Sequence, residues 1–356
     1  MEEQLKKIRE EIDAVDDQLL IIFNRRMKLI KEVGNLKRNH NGVIYRPERE
    51  QSILERLRNN NNGLLTPEAI ESLFMEIFAV SRNYELPERV AFLGPEGSFT
   101  HQAAESRFGS LSNYVPLSNI ETIFENVVTK RVKFGVIPIE NNQEGSVTET
   151  IDLLGSTDVK IVAEMPMNIH FTFSSIEDKL TNIQRIYSKD IGFKQCKKFI
   201  QEFFGNNIEL IPVSSTSKAA QIAKKEPHSA AICPQVAARI YDLPVLFANI
   251  EDSVNNTTRF LIISGDFDSQ KSGNDKTTII AKVEDKAGSL AELLQAFNEA
   301  KINLCKVDSR PLKYENQFQY WFLIDLEGHI QDENVKIILE KYKDQVKWLG
   351  SYVKLC

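Results

Sequence analysis

The stretch Asn256-Thr257-Thr258-Arg259-Phe260-Leu261-Ile262-Ile263 joins two kinds of sequence. A polar run ends at Asn256, and an apolar run typical of a buried strand begins at Phe260. Strand ends present polar groups that the strand holds still, so Thr258 and Arg259 are well placed to contact a small anionic substrate. The alternative is an ordinary polar strand start, and the residues on either side decide between the two.

The composition is that of a globular protein with two or three domains, at 356 residues, 42% hydrophobic and 26% charged. A net charge of −6 argues against a nucleic-acid binder. The charged start and the lack of any run of about 18 apolar residues predict neither a signal peptide nor a membrane span. The scattered cysteines indicate reduced thiols in a cytoplasmic protein without a metal site: Cys196, Cys233, Cys305 and Cys356.

Residues 1–88 predict an all-helical domain. Apolar residues recur at spacings of three and four, and no proline occurs before Pro47, so one helix is expected from about residue 4 to 38. That helix would be about 50 Å long. Two shorter helices are expected, one at 48–57 and one at 67–85 with Thr66 as its N-cap and Pro67 at its first position. They cannot bury the apolar face of the long helix. We therefore expect an interlocked homodimer.

Cations on the long helix form a candidate site. Arg26 and Lys37 are eleven residues apart, which puts them about 20° apart around the helix and lets both reach one ligand. Arg9 lies seventeen residues before Arg26, too far along the helix to join them, so it would have to come from the other protomer. The alternative is the solvated face of a coiled coil.

A wider pattern runs through Arg9-Glu10, Asp16, Leu19-Leu20, Arg25-Arg26, Val33-Gly34, Lys37, Arg46-Pro47-Glu48-Arg49-Glu50, Ser81 and Glu85. It resembles an all-helical chorismate mutase domain over its full length. The resemblance implies that Arg26 and the partner chain's Arg9 bind the substrate carboxylates. It implies that Lys37 and Glu85 contact the ether oxygen and that Glu50 contacts the hydroxyl. The remaining substrate-site positions it implies are Arg46, Arg49 and Ser81.

The reaction that this resemblance implies suits these residue types. Chorismate rearranges to prephenate without a nucleophile or a proton transfer, so a compact conformer and donors aimed at the ether oxygen suffice. Some family members carry aspartate at the position of Arg46 and glutamine at that of Glu85. A glutamate must be protonated to donate a hydrogen bond, so we expect mutase activity to fall as the pH rises.

Residues 89–268, after a linker around 85–88, alternate short apolar runs with helical stretches. This pattern predicts a two-lobed α/β domain with a cleft. Strands are expected at 90–93, 134–137, 160–163, 185–187, 209–212 and 230–232. Helices are expected at 99–108, 120–129, 193–204, 217–224 and 235–240.

Polar motifs follow three of these strands: Gly94-Pro95-Glu96-Gly97-Ser98-Phe99, Pro138-Ile139-Glu140-Asn141-Asn142 and Ser214-Ser215-Thr216-Ser217-Lys218. Each alone reads as a capped helix start. No nucleotide-binding glycine loop occurs, which argues against a nucleotide cofactor and against a fused dehydrogenase. Together with Gln195-Cys196 and Thr258-Arg259-Phe260, the motifs resemble prephenate dehydratases in order and spacing. Lys189 departs from the histidine that is common in that family.

The dehydratase resemblance implies that Thr258 is catalytic. It implies a prephenate site that includes Ser98, Asn141, Ser215, Thr216 and Arg259. Prephenate becomes phenylpyruvate by losing carbon dioxide and the ring hydroxyl, which must leave as water, so a proton donor is required. We expect helix N-termini and Arg259, or a neighbouring cation, to hold the substrate carboxylates.

Residues 276–356, after a polar linker at 269–275, predict a βαββαβ order, which is ferredoxin-like. The motifs Gly288-Ser289-Leu290 and Asp308-Ser309-Arg310-Pro311 resemble the phenylalanine-binding motifs of ACT domains, with Asp308 where glutamate is usual. ACT domains pair side by side, which would add a second dimer contact. The alternative is an inert cap.

All three regions resemble, in the same order, bifunctional chorismate mutase–prephenate dehydratases. The resemblance implies feedback inhibition by phenylalanine and no cofactor. Two alternatives stay open: a non-catalytic amino-acid sensor, and a dehydratase whose mutase domain has decayed.

Overall fold

The computed structural model describes residues 1–38, 46–85, 89–109, 111–253, 255–266, 269–284, 286–311 and 320–356. The chain forms two compact units. The helical unit comprises Met1–Glu88 and Phe108–Asn113, and the sheet unit comprises Arg89–Arg107 and Tyr114–Cys356. The linker predicted around residues 85–88 falls mostly on residues 86–88, which lie outside the described part.

The helical unit consists of α1 (Glu2–Arg38), α2 (Pro47–Asn60) and α3 (Pro67–Glu85), which confirms the three predicted helices. Both later helices begin at a proline, whose fixed backbone angle and missing N–H suit the first helical position. Thr66 caps α3, because its hydroxyl accepts a hydrogen bond from the Ala69 N–H at 3.2 Å.

The apolar face of α1 is exposed along most of its length. The residues at the predicted spacings retain 43–60% of their accessible surface: Leu5, Ile8, Ile12, Val15, Leu19 and Ile22. Burying an apolar side chain of this size contributes about 1.5–3 kcal/mol. Packing of this face against another surface would therefore add substantially to the free energy of unfolding.

The sheet unit begins with eleven strands and seven helices. The strands are β1 (Arg89–Leu93), β2 (Asn113–Leu117), β3 (Phe134–Asn141), β4 (Gly145–Ser146), β5 (Lys160–Asn168), β6 (Thr172–Ser175), β7 (Arg185–Ser188), β8 (Glu209–Pro212), β9 (Ser229–Cys233), β10 (Val245–Ala248) and β11 (Thr257–Ser264). The helices are α4 (Phe99–Phe108), α5 (Ile120–Val128), α6 (Thr148–Ser156), α7 (Asp190–Gln195), α8 (Lys197–Phe204), α9 (Thr216–Ala223) and α10 (Gln235–Ile240), with a 3₁₀ turn at Leu180–Asn182.

These strands form two sheets, which confirms the predicted two-lobed α/β architecture. The first sheet has the order β2-β1-β3-β11-β5, with β4 beside β3, and the second has the order β10-β6-β9-β7-β8. The chain leaves the first sheet after β5 and returns to it in β11. The stretch 256–263 therefore opens β11, the strand that re-enters the first lobe between two antiparallel neighbours, β3 and β5.

The predicted helix at 193–204 is wrong in one respect. It is two helices, α7 and α8, because Cys196 between them has a non-helical backbone (φ −119°, ψ 27°). Five elements were not predicted: β2, β4, β6, β10 and α6.

The remaining elements form a third, antiparallel sheet in the order β13-β14-β12-β15, built from β12 (Asp275–Lys282), α11 (Ser289–Glu299), β13 (Leu304–Pro311), β14 (Tyr320–Glu327), α12 (Glu333–Lys341) and β15 (Val346–Val353). The element order is βαββαβ, as predicted. Leu293, Phe297 and Ile338 bury its two helices against the sheet.

The third sheet packs directly against the first. One apolar cluster contains Ile161 of β5 together with Trp321, Leu349 and Tyr352 of the third sheet. Gly350 allows the close approach, because a Cβ at this position would lie 2.2 Å from the Ile161 carbonyl oxygen. Within the described residues, no helix combines the length and the apolar character that a membrane span needs.

Candidate active sites

In the helical unit, the predicted mutase residues meet along one face of α3. The Arg26 guanidinium donates to the Ser81 hydroxyl, and the Lys37 ammonium lies 2.5 Å from a Glu85 carboxylate oxygen. Ser81 and Glu85 are one turn apart, so both contacts join α1 to the same stretch of α3.

A third contact continues this row, where Arg82 forms a buried ion pair with Glu50 of α2. Arg82 was not predicted as a site residue. Its position next to Ser81 in a regular helix is the signal that could have identified it. Glu50 is thus a buried carboxylate with a cationic neighbour, which holds it in place at the edge of the site.

Arg26 has an unusual environment for a cation. It is about half buried, and within the described residues no carboxylate pairs with it. Burial lowers the pKa of Arg26, but a guanidinium stays charged at neutral pH. A partly desolvated cation without an anionic partner is well suited to bind a carboxylate ligand.

The other predicted cations lie apart from this row. Arg9 is exposed and seventeen residues, or about 25 Å, from Arg26 along α1. Arg46 contacts Glu48 at 3.4 Å, and Arg49 is exposed. Within the described residues of one chain, no hydrogen bond or ion pair joins these three side chains to Arg26 or Lys37.

In the sheet unit, Thr258 is held by amide side chains. Its hydroxyl oxygen accepts a hydrogen bond from the Asn141 side-chain NH₂ at 2.8 Å, and these two residues pair in register across β11 and β3. The same NH₂ group donates to the Asn256 amide oxygen at 2.8 Å. The Asn256 NH₂ in turn donates to the Gln195 amide oxygen at 2.9 Å.

The orientation of the Asn141 amide follows from its other contacts. Its side-chain oxygen accepts the backbone N–H groups of Gln143 and Glu144 at 2.9 and 3.0 Å. An oxygen that faces two backbone donors leaves the NH₂ group to face Thr258. Asn141 therefore occupies a lone pair of Thr258 and not its proton.

The Thr258 hydroxyl proton has no acceptor among the described residues, so this proton is available to a ligand. Asn256 and Gln195 complete the amide chain, although neither was predicted as a site residue. Both lie in motifs that carried the resemblance, and that is the only signal the sequence offers for them.

Three other predicted dehydratase residues, Ser98, Ser215 and Thr216, line a cavity of about 710 Å³. Ser98 and Ser215 cap α4 and α9, since their hydroxyls accept the N–H groups of His101 and Lys218 at 3.2 and 3.0 Å. The capped-helix reading of these two serines is thus correct. Thr216 also lines the cavity, and the first turns of both helices border it.

The charge lining this cavity comes from a single cation. Among the described residues that line it, Lys189 is the one charged side chain and no carboxylate is present. Thr258 and Asn141 are not among the lining residues. The structure therefore divides the predicted dehydratase residues into an amide-held threonine and a cavity bordered by helix N-termini.

Arg259 does not face this cavity, contrary to the prediction. Neighbouring strand residues point to opposite faces of a sheet, so Arg259 points away from the side of Thr258. Its guanidinium contacts Glu140 at 3.0 Å, Glu164 at 2.8 Å and Asp325 at 2.7 Å. Three carboxylates already occupy it, and it is not free to bind a substrate carboxylate.

Strand alternation also separates the residues of one predicted effector motif, 308–311, onto the two faces of β13. Asp308 accepts a hydrogen bond from the Ser146 hydroxyl at 2.6 Å, and Arg310 lies 3.3 Å from Asp152, so both face the first lobe. Ser309 between them is exposed, as is Pro311.

The other effector motif lies at the start of α11. Gly288 is exposed and has a φ of +95°, a conformation that favours glycine. Ser289 and Leu290, which open the helix, are half buried. Within the described residues, no cluster of three or more His, Cys, Asp or Glu side chains has the arrangement of a metal site.

Two family models match the chain. The chorismate mutase type II model matches residues 8–86, and the prephenate dehydratase model matches residues 90–267. The bifunctional chorismate mutase/prephenate dehydratase of Aquifex aeolicus (strain VF5) is 38% identical, over 99% of this chain and 98% of that protein.

Solved structures add two relatives of the sheet unit. Prephenate dehydratase of Arthrobacter aurescens, in complex with L-Phe, aligns with a TM-score of 0.68 at 30% identity, over 75% of this chain and 90% of that one. Prephenate dehydratase of Staphylococcus aureus subsp. aureus Mu50 aligns with a TM-score of 0.64 at 27% identity, over 74% and 99% of the two chains.

Proposed function

This chain belongs to the bifunctional chorismate mutase/prephenate dehydratases, and we propose that its helical unit converts chorismate to prephenate and its sheet unit converts prephenate to phenylpyruvate. The similarity to the Aquifex aeolicus protein extends over nearly the full length of both chains, which supports two activities on one chain. We assign the chain to the cytoplasm, where biosynthesis of phenylalanine from chorismate would take place.

The proposed mutase site centres on Arg26. This half-buried guanidinium, without a carboxylate partner in the described chain, binds one substrate carboxylate. Lys37 donates to the ether oxygen, where negative charge develops as the C–O bond breaks. Glu85, 2.5 Å from Lys37, lies beside the same oxygen in this proposal, while Glu50 accepts a hydrogen bond from the substrate hydroxyl.

The second substrate carboxylate needs another cation, and no second cation without a carboxylate partner contacts Arg26 among the described residues of one chain. We propose that Arg9 supplies it from a second copy in a homodimer. The exposed apolar face of α1 supports this arrangement, because a partner helix would bury it. Arg46, Arg49 and Ser81 border the same site in the proposal.

The proposed dehydratase reaction depends on the Thr258 proton. Prephenate loses carbon dioxide from the ring, the electrons of that bond form a ring double bond, and the ring hydroxyl leaves. The Thr258 O–H donates its proton to that hydroxyl, so that water departs and the ring becomes aromatic. Asn141 donates to the threonine oxygen and stabilises the negative charge that develops there.

The cavity beside α4 and α9 supplies the anion-binding part of the proposal. Backbone N–H groups at helix N-termini favour carboxylates, and both helices begin at this cavity. Ser98, Ser215 and Thr216 orient the substrate there, next to the Lys189 ammonium. In this proposal the Lys189 ammonium, and not Arg259, is the cation that holds a substrate carboxylate.

Phenylalanine is the proposed effector, and the third sheet with its two helices is the proposed regulatory domain of the ACT type. The Arthrobacter aurescens relative is known in complex with L-Phe. In this chain Gly288 and Ser309 are exposed, so a second copy of the domain is needed to enclose an amino acid beside them. The proposed domains are 1–88, 89–268 and 276–356.

One observation carries the dehydratase proposal: a threonine hydroxyl whose lone pair is occupied by Asn141 and whose proton has no acceptor among the described residues. The test is to supply the purified full chain with chorismate and to follow prephenate and phenylpyruvate separately. We expect both to form in sequence. Phenylpyruvate from added prephenate but not from chorismate would indicate a decayed mutase. No product from either substrate, with phenylalanine bound, would indicate an amino-acid sensor.

A further inference from the structure

Behind the amide-held threonine lies a buried charged cluster that the proposed chemistry does not use. It contains three carboxylates and three cations: Glu140, Glu164, Asp325, Arg259, Lys276 and Lys306. Glu164 is 0% exposed, Asp325 is 2% exposed and Arg259 is 8% exposed. The buried part of this cluster is held in one geometry, because a displaced charge there would lose its partners without regaining water. Glu140 and Lys306 lie at its partly exposed edge.

The cluster is connected to Thr258 by strand register. On β11 and β3, Thr258 pairs with Asn141 and the next pair is Arg259 with Glu140. Since successive strand residues alternate between faces, the first pair lies on one side of the sheet and the second lies on the other. A register shift follows directly after Arg259. The Arg259–Glu140 contact thus holds the two backbones that carry Thr258 and Asn141.

The third sheet supplies much of the cluster. The Arg259 guanidinium donates to Asp325 of β14 at 2.7 Å and to the Tyr352 hydroxyl of β15 at 3.0 Å. Thr278 of β12 donates to the other Asp325 oxygen at 2.6 Å, which fixes that carboxylate. Lys306 of β13 contacts Glu140 from the same side.

We propose that Arg259 is a positioning residue for the dehydratase reaction, and that it makes the placement of Thr258 depend on the third sheet through Asp325 and Tyr352. The inference rests on the proposed dehydratase function. A planar guanidinium can satisfy several acceptors in fixed directions, which an ammonium cannot do. Arg259 therefore fixes the height and rotation of β11 at the residue next to the proton donor.

The test uses Asp325→Asn in the full chain, with Asp266→Asn as the matched control. The control makes the same chemical change just beyond β11, in an exposed ion pair with Lys130. Asp325→Asn should lower kcat for prephenate by at least about tenfold, in line with the roughly 100-fold that a misplacement of about 1 Å can cost. Its KM should change little, because the cavity that binds the carboxylates is not altered.

The rate is expressed per folded molecule, with the folded fraction taken from thermal unfolding in the assay buffer. Mutase activity of the same sample should equal that of the wild type. A kcat loss that only follows the unfolded fraction, or a rise in KM with kcat unchanged, overturns the positioning role. An active wild type with an equally active Asp325→Asn also overturns it.

Two milder variants keep the proposal testable if Asp325→Asn does not fold. Tyr352→Phe deletes one hydroxyl, which accepts from Arg259 and contacts the Thr278 hydroxyl at 2.6 Å. Arg259→Lys keeps the charge but loses the planar fork. Both should lower kcat with an unchanged KM, Arg259→Lys more strongly. Wild-type kcat in both overturns the inference. A wild type that does not dehydrate prephenate overturns the proposed function itself, and with it this inference.

Discussion

The sharpest test of the dehydratase site is to remove the Thr258 hydroxyl. In Thr258→Ala the proton donor is lost, and general acid catalysis typically contributes about 100- to 10,000-fold in rate. At 1.36 kcal/mol per factor of ten, the barrier should rise by about 2.7–5.4 kcal/mol. The kcat for prephenate should fall by the corresponding factor.

The effect on folding should be much smaller. Asn141 loses one acceptor at 2.8 Å but keeps its contact with Asn256 at 2.8 Å. The loss of one partly buried hydrogen bond costs about 1 kcal/mol. The predicted loss of transition-state stabilisation thus exceeds the predicted loss of stability, and the two measurements separate a catalytic from a structural role.

Thr257→Ala is the matched control. It removes the same hydroxyl one residue earlier, where it donates to the Asn168 amide oxygen at 2.9 Å. Both variants are assayed with prephenate and with chorismate at neutral pH, with product separation by chromatography and an enzyme-free blank. Thr258→Ala should accumulate prephenate from chorismate, Thr258→Ser should keep part of the rate, and Thr257→Ala should resemble the wild type. Near wild-type dehydration by Thr258→Ala would refute the assignment.

Four further predictions concern other residues. Arg26→Ala should lower mutase kcat/KM by several orders of magnitude, since the site acts only through electrostatics. Dehydration of added prephenate should continue. Loss of both activities in a folded chain would contradict the independence of the two sites. Glu85→Gln should keep or raise mutase kcat/KM, because a side-chain amide can donate a hydrogen bond to the ether oxygen; a strong loss of activity would count against this role. Phenylalanine should inhibit the dehydratase, while tyrosine should have little effect. Gly288→Ala, which is strained at φ +95°, and Ser309→Ala should each relieve the inhibition and keep the uninhibited rate. If equilibrium dialysis finds no binding of phenylalanine to the wild type, the regulatory claim is wrong. Burial lowers the pKa of His101 in the folded protein. The stability that the neutral imidazole contributes is therefore complete above the unfolded-state pKa of about 6.5 and is lost as the pH falls towards the folded-state pKa. The melting temperature should decline over this range, less so in His101→Asn, and equal declines in both proteins would contradict the prediction.

Local sequence patterns determined the architecture. Apolar spacing of three and four located α1, and a capping threonine before Pro67 located the start of α3. Short apolar runs located β1, β3, β5, β7, β8, β9 and β11, and the βαββαβ order followed from the same signals. Each of these depends on residues within a turn or a strand of one another, where backbone preference and burial act directly. The strand β6 lacks such a signal and was missed, because only its pairing with distant strands makes it a strand. The apolar run of β10 (Val245–Ala248) is such a signal, and the prediction missed it.

The direction of individual side chains was decided by tertiary structure. The sequence puts Thr258 and Arg259 side by side at a strand start, and the same pattern would suit either one as a substrate ligand. Folding brings Asn141, 117 residues away, to Thr258 on one face, and Asp325 and Tyr352 of the third sheet to Arg259 on the other. Strand alternation, the register of β11 on β3 and the packing of the third sheet assign opposite surroundings to two adjacent residues. These pairings join residues far apart in the sequence, so the local sequence does not indicate which partners each side chain will contact.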